Sequence, residues 1–457
     1  MFAQHPVDPY NIARNLPPPE DALFDPAAVP LMVPPDLGGG GGQQGGDGQQ
    51  ADNPDPNDEI EQERRINAAR GLLMTYFTDE KKTPGFQFRR FLGQGGYGIA
   101  ALVADVRNKE LPPRLLVVKR GFGGEAVEKS MGREIDCLQC IRGGMHFAQI
   151  LAFRQRFSTK PIWEIRDLFR NRGRYLNGLP GPTIVTEYVE NGTFEDFFDK
   201  TREWQEPVPN RILWNILLCG IRACIGMMWP IMAEHKAPTQ IETIGPNRPP
   251  LMLQHSDIHM KNVVFGELQH GSEEHDLVPA YKLIDFGVAR NVAEDNFPPL
   301  QPEKGPFWNG RDVAGLVMAL IAKVYNWEPR WGAFLDGYIQ TDAWDLYIPG
   351  AELRYPWLDP DLRELIGRMM AKDEPNRIPI RDCLAMATAA VRDKTADDYP
   401  NRREAETDDA ILAYIQRAFH DAEQNPAQAP WFVPDARRPA PRPSAAGAVS
   451  AAAAGGR

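Results

Sequence analysis

Two short polar runs hold the residues best suited to chemistry. HSDIHMKN spans residues 255–262 and DFG spans 285–287. The carboxylate of Asp257 can accept a hydroxyl proton or orient an attacking group, while Asn262 and Asp285 offer the hard oxygen donors that magnesium takes beside phosphates. Upstream, Lys119 ends the apolar run LLVVK and Glu134 lies in MGREIDCL. A lysine can hold phosphate oxygens while a glutamate orients its ammonium, which suits phosphoryl transfer because concentrated negative charge is stabilised. GQGGYG supplies Gly93, Gly95 and Gly98, and exposed amides in such a loop can cover phosphate oxygens. Each motif alone has a plainer reading: glycines that join two strands, Asp and Asn that make turns, a lysine and a glutamate solvated at the ends of elements. Together and in this order they favour the chemical reading.

The elements that must position these groups follow from periodicity. FQFRRFLG and IAALVADV read as two strands across the glycine turn. A dinucleotide-binding loop opens into a helix, so phosphate binding by a hairpin fits better. A third strand is expected at 115–119, a helix at 126–142, and further apolar segments up to TIVTEYV, interrupted by a polar insertion at 165–182. A first helix is expected before the strands, with Ile60, Ile66, Leu72, Leu73 and Phe77 on one face. Ile212, Ile216, Leu217, Ile221, Ile225, Met228 and Trp229 place a buried helix before Pro230, with a short continuation through His235. Short strands bracket the polar loop at 255–262, and helices are expected at 311–325, 361–371, 381–391 and 404–423. The two cysteines of CLQC have no second pair or histidine pattern to complete a zinc ligand set.

The 457 residues include 40 glycines and 42 prolines, above the usual shares. Residues 1–60 hold 11 prolines, ten acidic groups and one arginine, with an unbroken glycine run at 38–42. Such a segment gains little by packing and loses much backbone entropy on ordering. The net charge of -11 argues against a broad electrostatic footprint for nucleic acid. Five cysteines are too sparse and odd in number for a disulfide scaffold, which points to a reducing compartment, cytoplasmic or nuclear. A signal peptide and an 18-residue apolar stretch are both missing from this reading, so no membrane partner is expected.

From about residue 87 to 392 the chain resembles the eukaryotic protein kinase superfamily. The resemblance implies a bilobal α+β fold with a small β-rich N-lobe, a larger helical C-lobe, and ATP with Mg2+ in the cleft between them. Gly93, Gly95 and Gly98 match the loop over the phosphates, Lys119 and Glu134 the phosphate lysine and its helix partner, Asp257 the catalytic base, and Asn262 and Asp285 the magnesium ligands. TIVTEYVENGTF resembles the segment joining the lobes, where the backbone of Glu187 and Val189 would meet adenine behind Thr186. Asp312 resembles the aspartate that supports the catalytic loop, and Arg377 a late arginine buried in the helical lobe.

The implied organisation is a disordered acidic Gly/Pro-rich arm at 1–58, a helical extension at 59–83, a protein kinase-like domain at 84–400, a C-terminal helix at 401–424, and a disordered Pro/Ala-rich tail at 425–457. The implied function is ATP-dependent transfer of γ-phosphate to a serine or threonine hydroxyl of a protein substrate. Departures from the pattern keep two alternatives open. Ser256 stands where the motif usually has arginine, which weakens control by activation-loop phosphorylation, and His259 stands where it usually has lysine. HxDxHxxN also resembles the loop of small-molecule phosphotransferases, so a small-molecule acceptor is one alternative and a nucleotide-binding pseudokinase scaffold the other. No APE motif follows Asp285; Gln301, Pro302 and Glu303 are its nearest echo.

Overall fold

A computed structural model describes residues 56–95, 97–154, 175–234, 237–245, 250–251, 253–291, 308–324, 334–335, 339–347 and 354–419. The arm before residue 56, the tail at 425–457, much of the expected insertion, His235, and the run from Gln301 to Glu303 lie outside the described residues.

Alternation builds the first layer. Strands β1 (Phe86–Gln94), β2 (Gly98–Asp105), β3 (Arg114–Gly121), β4 (Ile150–Arg154) and β5 (Thr183–Glu187) form an antiparallel sheet in the order β1-β2-β3-β5-β4. Because strand side chains alternate faces, Ile99, Ala101 and Val103 of β2 and Leu116 and Val118 of β3 share one face. Helix α1 (Pro56–Thr78) covers that face with Ala69, Leu73, Tyr76 and Phe77, a helical i, i+4, i+7, i+8 stripe. Ile60 was expected on this stripe but is 65% exposed, because it lies nearly two turns ahead of Ile66, the first α1 residue to reach the core.

Lys119 neighbours Val118 in β3 and so points to the other face, toward α2 (Glu125–Cys140). Gly123 and Gly124, at φ 92° and 97°, make the left-handed turn that launches α2, a conformation that suits glycine. Met131, Ile135 and Leu138 of α2 enter the main core, and Glu134 is buried beside them.

The second half is helical: α3 (Phe194–Trp204), α4 (Asn210–Met228), α5 (Trp308–Ala322), α6 (Pro360–Met369), α7 (Ile380–Asp393) and α8 (Asp408–Phe419). Short strands β6 (Leu253–Gln254), β7 (Val263–Phe265), β8 (Tyr281–Leu283) and β9 (Arg290–Asn291) pair β6 with β9 and β7 with β8 around the polar loop. The architecture is bilobal α+β, with a β-rich N-terminal sheet and a helical C-terminal region, consistent with a kinase-like fold.

Helix α4 is buried on nearly all sides, which explains its mostly apolar sequence. It is long and apolar enough to cross a membrane by length and composition, contrary to the expectation that no such stretch exists, yet 94% of that window is buried in the protein. The helix also stops at Met228; the expected continuation is irregular at 230–234, where Met232 adopts φ 52°. At its other end Pro209 offers no side-chain cap. The carboxylate of Glu406 does this instead, accepting from the amides of Asn210 (2.7 Å) and Arg211 (3.1 Å), where the positive end of the helix dipole favours a negative charge.

Candidate active site

Three elements meet at Lys119. Its Nζ, carried by β3, lies 2.9 and 2.8 Å from the two carboxylate oxygens of Glu134 on α2 and 2.7 Å from Oδ1 of Asp285, just after β8. Burial works against the ammonium, but Glu134 and Asp285 outweigh it and hold the lysine above its ordinary pKa. Burial likewise opposes ionisation of Asp285, and Lys119 reverses this, keeping the carboxyl below the usual range. Lys119 is therefore a firmly charged ammonium paired with Asp285 and with Glu134, whose own carboxyl is pushed up by burial against the pull of Lys119.

Asp285 is held for this contact by its backbone. It adopts φ 61°, and the Gly287 amide donates to its Oδ1 at 3.3 Å. Phe286 is fully buried between the rings of His255 (4.5 Å) and Phe147 (6.0 Å), while Ser130 of α2 donates to the Gly287 carbonyl at 2.8 Å. The DFG run is thus pinned to both lobes.

The polar loop is set by His255. Burial keeps this ring neutral; its Nε2–H donates to the Ile284 carbonyl at 3.0 Å and its Nδ1 accepts the Asp257 amide at 3.3 Å. Ser256 follows in a left-handed conformation, φ 66°, and is exposed. Asp257 is accessible, and Asn262 Nδ2 donates to its backbone carbonyl (2.9 Å) and to its Oδ2 (3.0 Å). His259 joins the group, with Nε2 3.5 Å from Asp257 Oδ2 and 3.1 Å from Asn262 Nδ2.

The donor set fits magnesium. With its Nδ2 engaged by Asp257, Asn262 keeps an amide oxygen, and Asp285 keeps a second carboxylate oxygen; both are hard donors. The glycine loop has matching room. A Cβ at Gly93 or Gly95 would meet nothing within 4 Å, whereas one at Gly98 would lie 2.6 Å from the Arg120 carbonyl oxygen. Gly98 is needed by the hairpin itself, and the space over Gly93 and Gly95 is left open.

Glu187 and Val189 lie where β5 leaves the sheet for the helical region. The Glu187 carboxylate accepts from Lys282 of β8 and from the Gln149 amide, a tie between the lobes that sequence reasoning missed. Asn309, one turn before Asp312 on α5, was missed as well. Its Oδ1 accepts the His255 amide at 3.0 Å and its Nδ2 donates to the Leu253 carbonyl at 3.1 Å, so Asn309 braces the loop that Asp312 was expected to support. Burial pushes Asp312 up to about 6, with Arg311 and Arg377 pulling it down and Asp257 adding to the rise. Arg377 donates to the Ala371 carbonyl at 2.8 Å.

A separate triad of potential metal ligands is built from other residues. His146, after α2, Cys219, on α4, and His275, between β7 and β8, are all buried, with ligand atoms within 4.8 Å of one another. Their sequence separation hid them. The one available signal was Asn215, Cys219 and Arg222, a polar stripe at i, i+4, i+7 on an otherwise apolar helix.

No family model matches the chain, and no curated protein matches it. Among solved structures it is similar to the autoinhibited serine kinase domain of the giant muscle protein titin, at 11% identity and a TM-score of 0.42, over 74% of this chain and 88% of that one.

Proposed function

We propose that the chain is an ATP-dependent protein kinase of the serine/threonine type. The observation that carries this reading is the convergence on Lys119 of Glu134 and Asp285, with Asp257 and Asn262 joined beside them. Lys119 would hold phosphate oxygens, Glu134 would fix its ammonium, and the amides around Gly93, Gly95 and Gly98 would cover the phosphates. Asn262 and Asp285 would hold Mg2+, which when bound neutralises charge on the phosphates. Asp257 would orient the acceptor hydroxyl and take its proton as the hydroxyl oxygen bonds the γ-phosphorus and the bond to the β-phosphate oxygen breaks. The link carrying Glu187 and Val189 would meet adenine through backbone groups.

One observation favours a second reading. His259 sits within 3.5 Å of the Asp257 carboxylate, where a permanent cation would suit a protein kinase, so a small-molecule hydroxyl is the competing acceptor. Incubation of the purified chain with labelled ATP, magnesium and mixed protein or metabolite acceptors separates them. Label on protein hydroxyls, lost in Asp257→Asn and Asp285→Asn, is the expected result. Label on a metabolite alone sinks the protein-kinase reading, and nucleotide binding without turnover by the folded chain leaves a scaffold.

A further inference from the structure

We propose that His146, Cys219 and His275 bind a zinc ion that fastens together the segment after α2, helix α4 and the β7–β8 connection. All three side chains are buried, and each offers a ligand atom within 4.8 Å of the other two. A tetrahedral zinc needs ligand atoms roughly 3.3–3.6 Å apart, given bonds of about 2.0 Å to nitrogen and 2.3 Å to sulfur, so an inward movement of roughly an ångström fills three of its four positions.

Unspent hydrogen-bonding capacity marks the same point. Nε2 of His146 and both ring nitrogens of His275 are buried with no hydrogen bond of normal geometry, having only loose contacts with the Cys219 thiol and the Val278 backbone. The two rings meet edge to face at 5.2 Å. Buried polar nitrogens so poorly paired cost free energy, and their concentration at one spot beside a buried thiol leaves lone pairs that a metal ion can take.

Glu242 supplies what a metal-bound histidine needs behind it. Its Oε2 lies 2.6 Å from Nδ1 of His146 and its Oε1 accepts the His146 amide at 2.9 Å, so the ring is oriented with Nε2 directed away from the carboxylate. Glu242 is itself fully buried, and its backbone carbonyl accepts from Arg222 on α4 at 2.8 Å. The surroundings favour a cation. The Glu242 carboxylate, 2.6 Å from Nδ1 of His146, supplies counter-charge for an ion bound at the far side of the ring. Two imidazoles and one thiol, which loses its proton on binding, are borderline-soft donors that suit zinc and exclude magnesium.

The chain around the triad is already braced. Arg222 pairs with Glu274, the residue before His275, and Asn215 donates to the Glu274 carbonyl. Asn215, Cys219 and Arg222 thus present one stripe of α4 to the connection that carries His275.

The test is metal analysis of the full chain after zinc incubation and desalting, alongside His275→Gln and Cys219→Ser checked for folding by circular dichroism. One zinc per wild-type chain is expected, falling to about a tenth or less in each variant, with a chelator lowering the wild-type Tm. Should a variant fail to fold, cobalt exchange into the wild type decides the matter. A thiolate-to-cobalt charge-transfer band supports the site, and its absence overturns it. Wild type without stoichiometric zinc, undiminished zinc in folded Cys219→Ser, or copper(I) bound in preference to zinc also overturns the proposal.

Discussion

Lys119 and Asp285 stand 166 positions apart in the chain and meet at 2.7 Å. The contact joins β3 of the sheet to the residue just after β8, and the same ammonium holds Glu134. One charge thereby fixes the sheet, helix α2 and the DFG run relative to one another.

Lys119→Met should leave the buried Glu134 carboxylate without its counter-charge. We expect a loss of about 3–5 kcal/mol in chemical denaturation, the range for breaking a buried pair. Adding Glu134→Gln should recover part of that loss, so the double variant is more stable than the sum of the singles predicts. Strict additivity would show that the pair is not coupled.

Asp257→Asn should reduce phosphotransfer by about 10²–10⁴-fold, the span of a general base, while nucleotide affinity stays within roughly twofold of wild type. A matching fall in affinity would instead place Asp257 in nucleotide binding.

The glycines divide into two kinds. Gly98→Ala drives a Cβ against the Arg120 carbonyl oxygen at 2.6 Å, so it should lower thermal stability by about 1–3 kcal/mol. Gly95→Ala meets no neighbour, so it should leave the melting temperature unchanged and weaken nucleotide binding. Equal effects of the two on stability would contradict this division.

Asp312 should make the protein less stable as pH rises. Its folded pKa of about 6 lies above the ordinary aspartate value of about 3.9, so the folded state binds more protons between those values and loses stability on passing upward through them. Asp312→Asn should flatten that slope and stabilise the protein at neutral pH by about 1–3 kcal/mol. Denaturation of both proteins at several values between pH 4 and pH 8 measures it.

Much of this was legible in the sequence because it is local. The alternation in IAALVADV set the sheet, the 3.6-residue spacing from Ile212 to Met228 set α4, and the order of Lys119, Glu134, Asp257, Asn262 and Asp285 picked out a group in which Lys119 does meet Glu134 and Asp285. What escaped depends on distant segments. Asn309 braces His255 from one turn before Asp312 on α5, and only the spatial register decides which side chain reaches that amide. Glu187 with Lys282, and His146 with Cys219 and His275, have partners that no periodicity names. The burial expected of Ile60 and the continuation expected after Met228 failed for a related reason: apolar spacing continues past the point where a partner surface stops.

The carboxylate that caps α4 comes from Glu406, 196 positions beyond Asn210. During synthesis the central helix is complete long before its cap leaves the ribosome, and until then its first amides have only water. The start of α4 is therefore closed by a segment made 196 positions later. A nascent chain stalled before residue 406 should remain open to protease at the start of α4, and the emergence of Glu406 becomes the step that closes it.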